Sequence, residues 1–215
     1  MCKQCEISPV YEFTNKRKLC KNCFIKWFQK KFLYTIRKFE MLKKGDVVFL
    51  GKPNSFGDAV LYDLLKLYSE KGVVELKEIA TNRIPSRFSA KKLVNGDIFF
   101  NSLKEFRAKR DNFPTKIAIS STSDTEADKM IHALINKDIS KLKQGPVEKI
   151  GKRTIIKPLY LFLDKEVLLY AKLKRLKYKK INEKSDKISE FINTLEEKHP
   201  EIKQSIISSY GELFG

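Results

Sequence analysis

The 215-residue sequence predicts an α/β fold with a doubly wound parallel sheet, preceded by a small cysteine module and a basic helix and followed by a helical tail. Three observations predict it. All four cysteines fall in the first 23 residues; from residue 46 short β-branched or aromatic runs alternate with helical stretches; and the chain from Lys184 reads as two helical segments broken at His199-Pro200. Strands that alternate with helices imply βαβ units and a parallel sheet. The expected divisions are 1–44 for the cysteine module with its helix, 45–182 for the α/β domain and 183–215 for the tail.

The cysteines stand as Cys2-x2-Cys5 and Cys20-x2-Cys23, with fourteen residues between the pairs. That is one fewer than the usual lower bound for a two-knuckle zinc site. Zn²⁺ takes four thiolates at tetrahedral corners, and each x2 turn presents two sulfurs to one side. A closed four-thiolate shell has no open position for water, so the predicted Zn²⁺ is structural rather than catalytic. Four free cysteines gathered by chance are the alternative.

After Cys23, FIKWFQKKFLYTIRKFEML has a helical period. Phe24, Phe28, Phe32, Ile36, Phe39 and Leu42 fall on one face, which reads as packing. Lys26, Lys30 and Arg37 cluster opposite, with Lys31 and Lys38 at the flank. This basic face continues the charge of KRKLCKNC, which carries Lys16, Arg17, Lys18 and Lys21. It reads as contact with an RNA backbone, against the alternative of a merely solvated face.

In the α/β domain the expected strands are Val47–Leu50, Val73–Leu76, Lys116–Ser120 and Thr154–Ile156, and the expected helices are Asp58–Glu70, Asp124–Asn136 and Asp164–Leu176. Between residues 84 and 112 the pattern is ambiguous, with Asp97–Phe100 readable as a strand and Leu103–Arg110 as a helix. Residues 46–65, DVVFLGKPNSFGDAVLYDLL, run from an apolar strand through a loop with two glycines into a helix, the frame of a phosphate-cradling loop. Ligands of such sheets bind beyond the carboxyl ends of strands, which points to Gly51–Asp58 and Ser120–Asp124.

The charge balance narrows the partners. Lys and Arg number 44 against 26 Asp and Glu, a net +18. A surplus of this size opposes compaction and favours polyanions, nucleic acid first. The densest basic run is Lys172–Lys180, KLKRLKYKK, with Lys172, Lys174, Arg175, Lys177, Lys179 and Lys180. It reads either as a complement to a helix C-terminal dipole or as an RNA footprint. No apolar run approaches the ~20 residues of a membrane span. MCKQCEISPVYEF lacks the apolar core of a secretory signal, so a cytoplasmic, reducing location is expected. His132 lies in an amphipathic helical stretch and His199 precedes a proline; neither completes a catalytic constellation.

Three segments carry a resemblance: LCKNCFIKWFQKKF, KRTIIKPLYLFLDKEVLLYAKLKRL and FINTLEEKHPEIKQSIISSYGEL. Together with the cysteine module and the frame at 46–65, they make the chain look like a PP-loop member of the tRNA 2-thiouridine synthetase superfamily. It most resembles a shortened form of the cytoplasmic tRNA 2-thiolation protein 2 family, the non-catalytic half of a heterodimer. Catalytic members of the superfamily carry Ser-Gly-Gly-x-Asp-Ser after the first strand. Here Asn54, Ser55, Phe56, Gly57, Asp58 and Ala59 match it, and only the Asp keeps its place. The second nucleotide motif, Gly-His-Asn-x-Asp-Asp, is matched by Ser120, Ser121, Thr122, Ser123, Asp124 and Thr125, where one Asp survives. Catalytic members also use cysteines in mid-domain; this chain has none after Cys23, and Phe99 and Ser102 stand near that position. A persulfide or a cluster of the usual type needs a thiolate.

The resemblance therefore implies a non-catalytic RNA-binding protein, not an enzyme, that binds tRNA and serves as scaffold partner of a catalytic wobble-uridine thiolase. An alternative use is a ribosome-bound translation-silencing factor that occupies a tRNA site and touches ribosomal RNA and ribosomal proteins.

Overall fold

A computed structural model of the chain describes residues 1–79, 115–138, 145–150, 153–179, 187–199 and 201–214. The expected elements at Asp97–Phe100 and Leu103–Arg110, the positions Phe99 and Ser102, and Lys180 and Pro200 lie outside these residues. A two-stranded hairpin, β1 (Tyr11–Glu12) and β2 (Lys18–Leu19), leads into α1 (Lys21–Lys38). There follow β3 (Asp46–Gly51), α2 (Phe56–Glu70), β4 (Val74–Ile79), β5 (Thr115–Ala118), α3 (Ser123–Ile135), β6 (Val147–Ile150), β7 (Arg153–Ile156) and α4 (Asp164–Leu173). The tail forms α5 (Lys187–Lys198) and α6 (Ile202–Phe214).

The main sheet has the order β4-β3-β5-β7-β6. β4, β3, β5 and β7 pair in parallel, with Val48 opposite Leu76 and Lys116, and Ile117 opposite Ile155. β6 pairs antiparallel with β7 at the edge, which makes the sheet mixed. The chain leaves β3 toward β4 on one side and returns to β5 on the other, so the strand order switches between the carboxyl ends of β3 and β5. That is where open α/β sheets hold ligands, and the two motif loops stand there.

Central β3 is buried on both faces, with Val48, Phe49 and Leu50 all inside. Val48 and Leu50 share a core with α1, α2 and α4; Phe49 and Ile117 form a second cluster. α2 contributes Val60, Leu61, Leu64 and Leu65 at helical spacing. α1 joins the same core through an aromatic seam: the Phe28 ring stacks on Tyr170 at 4.3 Å and meets Phe162 at 4.4 Å. Cys2, Leu19 and Cys20 belong to this core too, so the cysteine module is packed onto the sheet domain. α6 lies on α3, where Ile207 meets Ala127, Met130 and Tyr160.

Each of the first four helices ends in the same way. The residue after the cap takes a left-handed conformation, at Glu40, Gly72, Lys137 and Arg175. The next amide then reaches back over the last turn, as Leu176 does to the Ala171 carbonyl at 2.9 Å. This double hydrogen bond satisfies carbonyls that a helix end leaves open. At Arg175 it stops α4 three residues short of the expected Leu176 and sends the chain on without helix.

Most buried charge in the described core is paired, though the Asp128 Oδ1 is buried without a hydrogen-bond partner. Lys157, 1 % exposed, bonds Glu126 at 2.7 Å and also reaches Glu148. Lys129 bonds Glu126 at 2.6 Å, and the Ser121 hydroxyl donates to the same carboxylate. Lys116 bonds Asp46 at 2.6 Å and donates to the Met41 carbonyl. Burial alone would raise the Glu126 carboxyl, but Lys157 and Lys129 outweigh it and hold the group below the usual carboxylate range. A depressed folded-state pKa stabilises the fold above the unfolded value, and that contribution is lost as pH falls through the folded value. Acid titration of the fold, followed by circular dichroism, is expected to show stability falling below pH ~4.3. Glu126→Gln is expected to weaken the fold at neutral pH and to flatten this acid limb.

Candidate functional site

The frame for a nucleotide loop is present at the end of β3, and its polar groups face one another. Ser55 caps α2, its side chain accepting from the Asp58 amide at 3.1 Å. Asp58 closes the box: its Oδ2 accepts from the amides of Ser55 at 3.0 Å and Asn54 at 3.4 Å. The Asp58 Oδ1 accepts from the Ser120 hydroxyl at 2.6 Å. Two of the amides that a phosphate could use at such a loop, those of Asn54 and Ser55, are thus turned onto a carboxylate of the chain itself. Pro53 supplies no amide. Gly57 lies tight against Ser120: a Cβ there would stand 3.2 Å from the Ser120 Cβ. Phe56 packs edge-on against Tyr178 with centroids 6.3 Å apart, and the Lys179 amide donates to the Asn54 carbonyl at 3.0 Å.

The second motif loop is equally committed. Thr122 caps α3 and donates to Asp164 Oδ1 at 2.6 Å. The Ser123 hydroxyl donates to the Phe162 carbonyl at 2.6 Å. Asp124 accepts from the Asp164 amide at 2.7 Å through one oxygen and pairs with Lys203 of α6 at 3.2 Å through the other. Lys203 is itself buried and also holds Glu196 of α5 at 2.9 Å. Asp124 therefore links the start of α4 to the C-terminal helices. Sequence reasoning gave Asp58 and Asp124 their places but missed Ser120, Asp164 and Lys203 as partners. Even the nearest of these pairs, Asp124 with Asp164, is 40 residues apart, and no local pattern marks it.

The cysteines converge as their spacing predicts. Cys2, Cys5, Cys20 and Cys23 have their Sγ atoms within 4.8 Å of one another, with Cys5 and Cys20 at 3.3 Å and Cys5 and Cys23 at 3.7 Å. Cys20 is also the N-cap of α1, so the cluster sits directly at the start of the basic helix. A hydrogen bond from the Gln4 backbone amide lowers the Cys2 thiol to about 6, and the Cys23 amide lowers Cys20. Burial pushes the Cys23 thiol up to about 12. The donor set fits a metal ion: four thiolate sources, mutually in reach, two of them already disposed to lose a proton.

The fold has a solved counterpart. It is similar to that of the U34-tRNA thiolase NcsA from Methanococcus maripaludis, determined with its [4Fe-4S] cluster. The TM-score is 0.76 at 23% identity, over 99% of this chain and 86% of that one. This chain has the fold of that thiolase. No protein-family model matches the sequence, and no curated protein matches it. Among the described residues, no helix is long and apolar enough to cross a membrane.

The basic residues divide into two groups. Lys31 leaves the flank of α1 for the interior, bonding Glu166 at 2.8 Å with its ammonium 4.9 Å from the Trp27 ring and 4.7 Å from that of Phe162. Lys174 lies 3.9 Å from Asp63, and Lys18 pairs with Glu12 at 3.3 Å. Arg17 stacks over Phe13 at 4.8 Å. Lys16, Lys21, Lys26, Lys30, Arg37 and Lys38 are exposed, as are Lys172, Arg175, Lys177 and Lys179. No ion pair engages these ten among the described residues. On α1, Leu33 and Tyr34 are exposed beside Lys30, Arg37 and Lys38, an aromatic within the basic face that the sequence pattern alone does not single out.

Metal analysis of the purified protein is expected to find metal held by the four thiolates. Cys20→Ser should lose it and expose the core around Leu19 and Phe24, seen as a lower melting temperature. A metal-free preparation with unchanged melting would contradict the assignment.

Proposed function

We propose that this chain is an RNA-binding protein that keeps the tRNA-thiolase fold without the thiolation chemistry. It binds tRNA through the zinc module and the basic face of α1, and acts as scaffold partner of a catalytic wobble-uridine thiolase. The observation that carries this reading is the commitment of both surviving motif aspartates. Asp58 accepts the amides of its own loop, and Asp124 ties α4 to Lys203. A carboxylate so engaged is a helix cap and a latch. The absence of any cysteine after Cys23 supports the same reading, since sulfur transfer needs a thiolate.

The metal is read as Zn²⁺. Around one ion at a Zn–S distance of about 2.3 Å, tetrahedral thiolates stand about 3.8 Å apart. The Cys5–Cys20 and Cys5–Cys23 separations of 3.3 and 3.7 Å, with all four sulfurs within 4.8 Å of one another, suit a single ion better. A [4Fe-4S] cluster binds each thiolate through its own iron and holds the sulfurs farther apart. A colourless protein with stoichiometric zinc agrees with this; iron with visible absorption does not.

A second reading, a factor lodged in a tRNA site of the ribosome, is favoured by the spread of exposed cations from Lys16 to Lys179. Sedimentation with ribosomes at low salt and release at high salt would select it over the thiolase partnership.

The test of RNA binding is charge reversal on α1. Lys26→Glu, Lys30→Glu and Arg37→Glu together are expected to lower affinity for tRNA at least tenfold, with an unchanged circular dichroism spectrum. The slope of log affinity against log salt should become shallower by about 0.7–0.9 for each phosphate that is no longer neutralised. Unchanged affinity would return this face to ordinary solvation.

A further inference from the structure

Leu176–Lys179 leaves α4 at the left-handed Arg175 and runs non-helically to the loop at the end of β3. Its side chains alternate: Leu176 and Tyr178 are half-buried, Lys177 and Lys179 exposed. This is the period of an extended chain with one face on the protein. Two interactions hold it to the loop, the Tyr178–Phe56 ring packing and the hydrogen bond from the Lys179 amide to the Asn54 carbonyl. In that loop Lys52 and Asn54 are exposed. Lys52, Lys177 and Lys179 thus lie on segments joined over the degenerate loop, and none makes an ion pair among the described residues.

We infer that this strap forms an RNA-phosphate ridge over the sealed nucleotide loop, with Lys52, Lys177 and Lys179 as its binding groups. The inference rests on the RNA-binding reading above and adds a second binding surface, at the switch point of the sheet. Three like charges on adjoining segments repel one another, a cost that a bound polyanion removes. Lys177 and Lys179 follow each other at about 6.7 Å along an extended chain. That spacing serves successive phosphates of a polymer rather than the clustered phosphates of one nucleotide. The amides of Asn54 and Ser55 are already taken by Asp58, which leaves Lys52, Lys177 and Lys179 as the charged donors offered to a phosphate here.

The test compares three forms of the full chain by fluorescence anisotropy with bulk deacylated tRNA and with total ribosomal RNA. One is unaltered; one carries Lys52→Glu, Lys177→Glu and Lys179→Glu; one carries Lys44→Glu and Lys71→Glu. The last two sites are exposed and precede the amino ends of β3 and β4, away from the strap. The ridge variant is expected to bind at least tenfold more weakly, with a salt slope shallower by about 0.7–0.9 per phosphate released from a lysine. The control variant should stay within about twofold, and all three should melt alike. If unaltered protein binds RNA and the ridge variant binds it equally well, the ridge is wrong while the RNA reading stands. Equal weakening in ridge and control variants would also overturn it, as the effect would be one of net charge. If unaltered protein binds neither RNA, the reading beneath the ridge fails and the ridge fails with it.

Discussion

Lys31 turns from the basic face of α1 to bond Glu166 at 2.8 Å, one of several internal lysine–carboxylate pairs that tie the elements together. Glu166 is 2 % exposed and caps α4 through the Leu163 amide while it holds Lys31, so one carboxylate fixes both the start of a helix and the helix that crosses it. Around this pair the Phe28, Phe162 and Tyr170 rings close the seam. A buried charge left without its partner is strongly destabilising. In a chain with 26 acidic side chains against 44 Lys and Arg, carboxylates are the scarce component. Asp46, Glu126, Glu148, Asp124 and Glu196 are each paired with a lysine in the same manner.

That scarcity connects the fold to the proposed function. Most of the carboxylates inside are committed to caps and ion pairs, Asp58 and Asp124 among them. Among the described residues, cations on α1 and along the strap that follows α4 are left outside without ion pairs. A protein of this construction presents positive charge on surfaces held rigid by its own internal pairs. The cysteine cluster adds to the rigidity, because Cys20 both caps α1 and belongs to the four-sulfur group.

Much of this is legible in the sequence, and the reasons for the rest are physical. The β3–loop–α2 frame is visible because an apolar run meets Ser55-x-x-Asp58, a capping box. The cysteine spacing announces the convergence of Cys2, Cys5, Cys20 and Cys23. The end of α4 is not visible, because Arg175 takes a conformation usually left to glycine and a basic helix-former gives no sign of it. β6 escapes notice because VEKI offers only two apolar residues, and its pairing with β7 is what makes it a strand. The fate of Lys31 is hidden for a different reason: its partner lies 135 residues away, and on the helix alone it is one more flanking lysine. The basic run at 172–179 is half helix end and half strap, so its two readings apply to different residues.

In the proposed reading, Asp58 occupies the loop at the end of β3 by taking the Asn54 and Ser55 amides, and the chain binds no nucleotide there. Isothermal titration of Mg·ATP into the metal-loaded protein tests it most directly. No saturable heat is expected up to millimolar ATP, for the unaltered protein and for Asp58→Ala alike. Saturable binding in the micromolar range that disappears in Asp58→Ala would contradict it.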